Sequence, residues 1–272
     1  MIKLLKSAPL TAIIGIIILL VTLLTGLFAP LIAPFGETQI VGNPYQPWSS
    51  AHPLGTDNLG RDMLSRMIYG ARNTVGLALL TTSIAFGLGS YLGMFAALRS
   101  GWFDEVLSRM IDVLLAMPTL ILALMLLAIV GTSIFNMVAV IAIIYIAPVY
   151  RLSRAAAMNV VGLDYVEAAR LRGESTFRLL RREILPNISS TLIAEFGVRF
   201  CFVFLFIAAL SFLGIGIQPP IADWGSMVKE NATLISFGDI TPLIPAGAIA
   251  LLTIGINLIV DWMLHRASGL SD

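Results

Sequence analysis

Long apolar segments are the feature that most constrains the fold of this chain. Six of them approach or exceed the roughly 20 residues that a helix needs to cross a bilayer. They cover approximately residues 9–28, 74–98, 109–130, 135–150, 188–213 and 242–262. Lipid cannot satisfy backbone polar groups, so such segments predict helices. Only 12% of the residues are charged, against roughly a quarter in soluble domains. We therefore expect an all-α membrane protein with six transmembrane helices.

The distribution of Lys and Arg predicts how these helices are oriented. The first span follows Lys3 and Lys6 and is longer than the apolar part of a signal peptide, so we expect it to be retained. Residues 151–187, between the fourth and fifth spans, carry seven arginines. Because basic residues concentrate in cytoplasmic loops, the sequence predicts that both termini and this segment face the cytoplasm.

Several spans contain residues that indicate close helix packing or kinks. Pro118 and Pro148 interrupt the third and fourth spans and predict bent helices, because proline frees backbone groups that neighbours must satisfy. The second span has a stripe of small residues that would allow another helix to approach closely: Ala85, Gly89, Gly93 and Ala97.

The segment 52–74, HPLGTDNLGRDMLSRMIYGARNT, begins with turn residues and becomes amphipathic. It predicts a short external helix with Asp57 or Asn58 as its N-cap. We therefore divide the chain into an N-terminal span with an external amphipathic segment (1–73) and a five-span core (74–272).

Two charged residues fall inside the fifth span. Glu195 and Arg199 are four residues apart, share a helix face and are expected to pair. The pair is either a structural element that neutralises itself or a contact for substrate or for a partner subunit.

The sequence lacks the motifs of common catalytic and cofactor sites. It has no phosphate-binding loop, no H-E-x-x-H and no G-x-S-x-G. One cysteine, Cys201, and two distant histidines, His52 and His265, predict no metal site. Energy for any transport must then come from an ion gradient or from another chain. The scarcity of acids within the spans disfavours a gradient-driven carrier or channel, and a membrane-embedded enzyme is disfavoured because no catalytic set is visible.

A polar segment, DYVEAARLRGESTFRLLRREILPN, occupies residues 164–187 between two spans. Asp164 and Glu167 fit a D-x-x-E capping box, and Gly173 stands where a left-handed helix stop is expected. A second helix is expected from Ser175, and Pro186 is compatible with the first turn of the fifth span. The segment predicts two short helices at the membrane surface, with small residues that another protein can approach. A basic connecting loop is the alternative.

The motif EAARLRG, with Pro186 thirteen residues after Gly173, resembles the EAA loop of ABC-importer permeases. Three other stretches resemble the C-type subunit of the dipeptide, oligopeptide and nickel permeases: HPLGTDNLGRDMLSR, SRMIDVLLAMPTLILAL and SFLGIGIQPPIADWGSM. Glu183, where the wider family prefers isoleucine, and the lack of a charged D-P-R-like tail depart from the family pattern.

The resemblance implies a role for two groups of residues. In the family the EAA loop is a coupling helix between spans four and five that docks on the ATPase; the matching residues here are Asp164, Glu167, Ala168, Ala169 and Gly173. A substrate-binding protein would meet external residues, namely Gly55, Asp57, Gly60, Arg61, Asp62, Pro219, Pro220 and Trp224.

The resemblance also implies the partners and the location. The chain would pair with a homologous B-type permease in the bacterial inner membrane, with two ABC ATPases that hold ATP and Mg and an extracytoplasmic binding protein. No cofactor is expected in this chain, and no nucleic acid is expected as a partner. Peptides are the commonest cargo of this branch, while nickel, metal chelates, opines and glutathione-like compounds fit the same residues.

Overall fold

The computed structural model describes residues 9–267 and is built from α-helices, as the sequence predicts. Two isolated β-bridges occur in the described residues, and no strand does. Lys3 and Lys6 lie outside this range. The helices are α1 (Leu10–Leu27), α2 (Ala29–Ile32), α3 (Met63–Gly70), α4 (Gly76–Leu98), α5 (Trp102–Ala116), α6 (Thr119–Val130), α7 (Ile134–Val161), α8 (Asp164–Leu171), α9 (Thr176–Arg178), α10 (Leu185–Leu213), α11 (Trp224–Asn231) and α12 (Leu243–Ala267).

Short irregular helices connect some of these elements. A π-helical turn, Ala71–Val75, joins α3 to α4, and a second, Leu179–Ile184, joins α9 to α10. A 3-10 helix, Ala232–Phe237, follows α11. The helical run from α3 therefore continues through residue 98 without a break.

Five helical segments are long and apolar enough to cross a membrane within the described residues: Leu10–Leu27, Met63–Leu98, Ile134–Val161, Thr176–Leu213 and Leu243–Arg266. A sixth exists only if α5 and α6 count as one span, because they meet at an angle of 96°. The break occurs at Pro118, which has no N–H for a helical hydrogen bond and forces Met117 into an extended conformation (ψ 138°). The expected kink at Pro118 is confirmed, and it is sharp enough to divide the predicted third span.

The helix at the fourth predicted span is longer than the apolar stretch, residues 135–150, that predicted it. Helix α7 has 28 residues and retains Pro148 in its interior. It continues beyond the apolar segment and includes Arg154. The Nε and Nη2 of Arg154 donate to the two carboxylate oxygens of Asp104 in α5, each at 2.5 Å. Hydropathy placed the end of this helix too early because the polar turns that follow are stabilised by a tertiary ion pair.

The small residues of α4 pack against α7, as predicted. An added Cβ at Gly89 would lie 2.8 Å from the Cβ of Val149. An added Cβ at Gly93 would lie 2.6 Å from the carbonyl oxygen of Tyr150 and 2.9 Å from the backbone nitrogen of Arg154. These distances show that the two helix backbones approach more closely than any side chain would permit.

We expect Gly93→Leu to destabilise the protein and Gly87→Leu to have little effect. Gly87 lies on the same helix with no atom within 4 Å of an added Cβ, so it is a matched control. Overpacking costs about 1–3 kcal/mol in soluble cores, and more where backbone is in the way. Thermal unfolding of the detergent-purified protein measures the difference. Equal shifts in the two variants would contradict this account of the helix contact.

Candidate functional site

The residues 162–184, here called the α8 hairpin, form a small platform at the end of the bundle where α4 and α7 terminate. Its inner side is apolar: Val166 and Ala169 pack in one cluster with residues of α4 and α7. Leu179, Leu180 and Ile184 of the connecting π-helical turn join that cluster. The hairpin is therefore fixed to the bundle by its own apolar face and leaves the other face open.

The start of α8 differs from the predicted capping box. Leu163 is the N-cap, and no side chain caps the helix. The carbonyl of Leu163 accepts the N–H groups of Val166 and Glu167 at 2.9 and 3.2 Å, so the helix begins before the acids can act as caps. Asp164 and Glu167 instead lie in the first turn, where negative charge complements the helix dipole.

The end of α8 confirms the expected stop at Gly173. This residue has φ +80°, and its N–H donates to the carbonyl of Arg170 at 3.0 Å. The N–H of Glu174 donates to the carbonyl of Ala169 at 3.3 Å, which completes a Schellman motif. The second helix then begins as predicted, with the Ser175 hydroxyl accepting the N–H of Arg178 at 3.4 Å.

The open face of the hairpin carries four of the five residues expected at an ATPase contact. Asp164, Glu167, Ala168 and Gly173 are exposed, whereas Ala169 is fully buried against the bundle. Sequence reasoning missed Leu171, whose side chain is 83% exposed. The open side of the hairpin therefore carries an exposed apolar side chain as well as charged and small ones.

The Glu195–Arg199 pair forms on α10 as predicted. The Arg199 Nε donates to the Glu195 carboxylate. The guanidinium carbon of Arg199 also lies 5.6 Å from the centroid of the Phe202 ring, a cation–π distance. Both side chains remain partly exposed within the chain, 11% for Glu195 and 22% for Arg199.

A buried ion network, formed by Asp57, Arg61, Arg66 and Glu230, lies at the opposite end of the bundle. The Arg61 Nε donates to Asp57 at 2.6 Å, and the Nη2 atoms of Arg61 and Arg66 donate to Glu230 at 3.1 and 3.2 Å. The Arg66 Nε lies 3.4 Å from Asp57. The network therefore fastens the irregular segment before α3 to α11.

A second set of polar contacts joins α11 to the same region. Asp223 caps α11 by accepting the N–H of Ser226 at 2.8 Å and also accepts the Thr74 hydroxyl at 2.8 Å. Burial raises the pKa of the Asp223 carboxyl, and these hydrogen bonds oppose that shift. The Trp224 indole donates to the carbonyl of Met67 at 3.0 Å.

These contacts correct the predicted N-cap of the helix that follows the turn residues. The cap of α3 is Asp62, which accepts the N–H of Ser65 at 2.8 Å, and not Asp57 or Asn58. Asp57 instead accepts the N–H groups of Leu59 and Arg61, both at 2.9 Å, and closes the preceding turn.

Most of the residues expected to face a binding protein do not point outward. Of the eight, only Pro219 and Pro220 are exposed; the buried ones are Gly55, Asp57, Gly60, Arg61, Asp62 and Trp224. Their polar groups find partners inside the fold: Asp62, for example, accepts from His52 Nδ1 at 2.9 Å when that nitrogen carries the proton. This group of residues shapes the external segment.

A family model for the inner membrane component of binding-protein-dependent transport systems matches residues 89–267. The chain belongs to this family. The matched residues make up more than half of the chain and include the α8 hairpin and the Glu195–Arg199 pair. The protein is therefore a permease, a multi-pass inner membrane component of a transport system.

Curated relatives of this permease have a similar length and similar names. The dipeptide transport system permease protein DppC of Alkalihalophilus pseudofirmus is 34% identical over 252 residues, which cover 92% of this chain and 83% of the relative. The corresponding protein of Haemophilus influenzae is 35% identical and covers 92% and 87%. The glutathione transport system permease protein GsiD of Pectobacterium atrosepticum is 36% identical and covers 78% and 71%.

The permease also has a neighbour among solved structures. A chain of an amino acid ABC transporter, solved with histidines, superposes with a TM-score of 0.56 and covers 75% of this chain and 94% of its own length. The identity is 20%, so this comparison supports the fold alone.

Proposed function

We propose that this permease forms half of the membrane pathway of a bacterial ABC importer for peptides or a closely related small solute. The observation that carries the proposal is the open, small-residue face of the α8 hairpin in a chain similar to dipeptide and glutathione permeases. Nickel, metal chelates and opines remain alternative cargoes of the same permease role. A gradient-driven carrier is the alternative of another class.

In this proposal both termini and the α8 hairpin face the cytoplasm. The α8 hairpin carries five arginines: Arg170, Arg172, Arg178, Arg181 and Arg182. All five are exposed, and the preference for basic residues on the cytoplasmic side supports this orientation. The buried ion network then lies on the extracytoplasmic side.

The α8 hairpin acts as the coupling helix that an ATPase subunit grips. Asp164, Glu167, Ala168 and Gly173 would be contacted directly, and Leu171 would fill an apolar site on the ATPase. Ala169 contributes from the inner side. It is fully buried, and its small side chain lets α8 lie close to the bundle. A partner can shift the permease only through contacts that differ between its two states, and a hairpin attached firmly to α4, α7 and α10 can transmit such a difference.

The remaining partners follow from the same proposal. A homologous B-type permease completes the pathway, and two ABC ATPases bind ATP and Mg, so this chain is not itself an enzyme. A binding protein delivers the cargo on the extracytoplasmic side. The exposed Pro219 and Pro220 remain candidates for contact with it, and Gly55, Asp57, Gly60, Arg61, Asp62 and Trp224 would support the surface from below.

Purification of the tagged permease with its bound subunits tests the proposal. Extraction in mild detergent should recover an ATPase and a second permease, and proteoliposomes containing this complex and the binding protein should take up labelled dipeptide only with ATP inside. Dipeptide uptake that follows an ion gradient and needs no ATPase would support the carrier instead and exclude an importer.

Gly173→Ala should reduce uptake, whereas Gly162→Ala should not. Both glycines have open space around an added Cβ. They differ in backbone conformation, since φ is +80° at Gly173 and −80° at Gly162. The left-handed conformation costs an alanine about 1–2 kcal/mol, which corresponds to a factor of roughly 5–30 in the population of the intact turn. ATP-dependent uptake at equal membrane abundance measures the effect, and similar uptake by the two variants would contradict the role assigned to the turn.

A further inference from the structure

Helix α10 is packed on three sides, which leaves one side open. Phe204 and Ile207 are fully buried in the main apolar cluster. Gly197 faces α12, because an added Cβ there would lie 2.4 Å from Val260 Cγ2. Phe196 faces α4, where its ring meets that of Phe86 edge to face with centroids 5.3 Å apart.

The open side is a continuous stripe along the helix, here called the α10 stripe. Its members recur every three or four residues, the spacing of one helix face, and each is exposed or partly exposed: Thr191, Glu195, Arg199, Phe202, Leu205, Ala209 and Phe212. The far end of the stripe borders an open groove of about 270 Å³, whose other walls are formed by residues of α11 and α12 such as Val228 and Ile249.

The charged pair lies far from both ends of this helix. Glu195 follows the first residue of α10 by ten positions, and Arg199 precedes the last by fourteen, which correspond to about 15 and 21 Å at 1.5 Å per residue. Charges at this depth are costly against lipid and normally face a bundle interior or a water-filled cavity. The stripe that carries them is open within this chain, so water or a polar neighbour in the assembly would spare the pair that cost.

The pair neutralises itself but retains unused binding capacity. Arg199 uses its Nε for Glu195, and among residues 9–267 its other guanidinium N–H groups donate to no protein acceptor. A planar guanidinium with free N–H groups is suited to bind a carboxylate through two parallel hydrogen bonds. Glu195 adjoins it as an acceptor for an ammonium group.

We infer that the α10 stripe lines the water-filled solute pathway and that Arg199 and Glu195 bind the carboxylate and ammonium ends of a peptide in transit. The two groups, one helical turn apart, present opposite charges to a zwitterion. The inference rests on the proposed importer function, which it extends from the hairpin to the pathway. Lipid and the partner permease are the competing occupants of the stripe, and both would exclude water from it.

Cysteine accessibility in the assembled importer distinguishes water from lipid. The single native cysteine, Cys201, is buried, and Cys201→Ala provides a cysteine-free parent. We would introduce Phe202→Cys or Ala209→Cys on the stripe, and Ile17→Cys or Ile254→Cys as controls on α1 and α12. The native control side chains are 54% and 55% exposed and that of Phe202 is 52% exposed, so exposure within the chain is matched.

A membrane-impermeant cationic methanethiosulfonate reagent reacts with thiolates, which form in water and not in lipid. We expect the stripe positions to react at least about tenfold faster than the controls. Stripe cysteines that react no faster than the controls would overturn the inference. The proposed function is judged separately, by ATP hydrolysis that the binding protein stimulates in the parent: coupled hydrolysis with an unreactive stripe rejects only the pathway assignment.

The role of the pair is tested by E195Q/R199Q with labelled dialanine as the probe. We expect uptake at low dialanine concentration to fall about tenfold at equal amounts of assembled complex, with Arg199→Lys retaining an intermediate rate because it keeps the charge. Unchanged uptake would overturn the binding role. So would a fall in uptake that is fully explained by a smaller amount of assembled complex.

Discussion

Leu171→Asp is expected to release the ATPase from the importer while the permease itself stays folded. The side chain of Leu171 is 83% exposed, so the substitution removes almost no contact within the chain. At a docked interface it would place a charge where an apolar group is buried. Substitutions at such central positions cost 2 kcal/mol or more, a loss of roughly 30-fold in affinity. The measurement is the amount of ATPase retained on the tagged permease.

Phe237→Asp is the matched control for this experiment. Phe237 is 85% exposed and follows α11, at the end of the bundle away from the α8 hairpin. Phe237→Asp should leave the ATPase bound, although, like Leu171→Asp, it replaces an exposed apolar side chain with a carboxylate. Full retention of the ATPase by Leu171→Asp, or equal loss in both variants, would remove Leu171 from the docking surface.

The features that sequence reasoning predicted correctly are those set by neighbouring residues. Gly173 was identifiable as a helix stop because a left-handed residue is needed where a short helix turns back, and glycine adopts that conformation without strain. The stripe containing Gly89 and Gly93 was identifiable because its period is that of one helix face. The Glu195–Arg199 pair was equally local, with both partners on one helix.

The features that were missed depend on contacts between distant residues. Arg66 meets Glu230 across 164 positions, and no local pattern shows that these charges are buried together. The exposed position of Leu171 depends on which side of α8 the bundle covers. The N-cap of α8 is Leu163, because only two residues connect α7 to α8. The length of that connection depends on how the two helices are placed, which no local pattern shows.

The family resemblance supplied what local patterns could not, but it did not specify which side chains are exposed. It suggested that the segment around Asp57 and Arg61 contacts a binding protein. In the structure these residues neutralise one another at 2.6 Å in a buried position. Charged residues in this segment therefore serve the shape of the loop.

Arg66→Met should lower the thermal stability of the permease more than any other single charge removal in the external segment. Arg66 is fully buried and is paired with Glu230 and Asp57. Its loss leaves the buried Asp57 carboxylate and the partly buried Glu230 carboxylate with only Arg61 as a counter-charge. Removing one partner of a buried ionic group costs about 3–5 kcal/mol, and at about 2–4 °C per kcal/mol we expect the unfolding temperature to fall by roughly 10 °C. The temperature at which half of the detergent-purified protein aggregates measures this fall.

Two further variants decide whether the fall reflects unpaired charge. Arg72→Met removes an exposed arginine six residues farther along the same helical run and should shift the aggregation temperature by less than about 2 °C, because exposed charges contribute little. The double variant R66M/E230Q restores neutrality among the buried groups and should recover part of the lost stability. If it is instead less stable than Arg66→Met by the full cost of a second independent substitution, packing of the Arg66 side chain, and not its charge, is what fastens the external segment to α11.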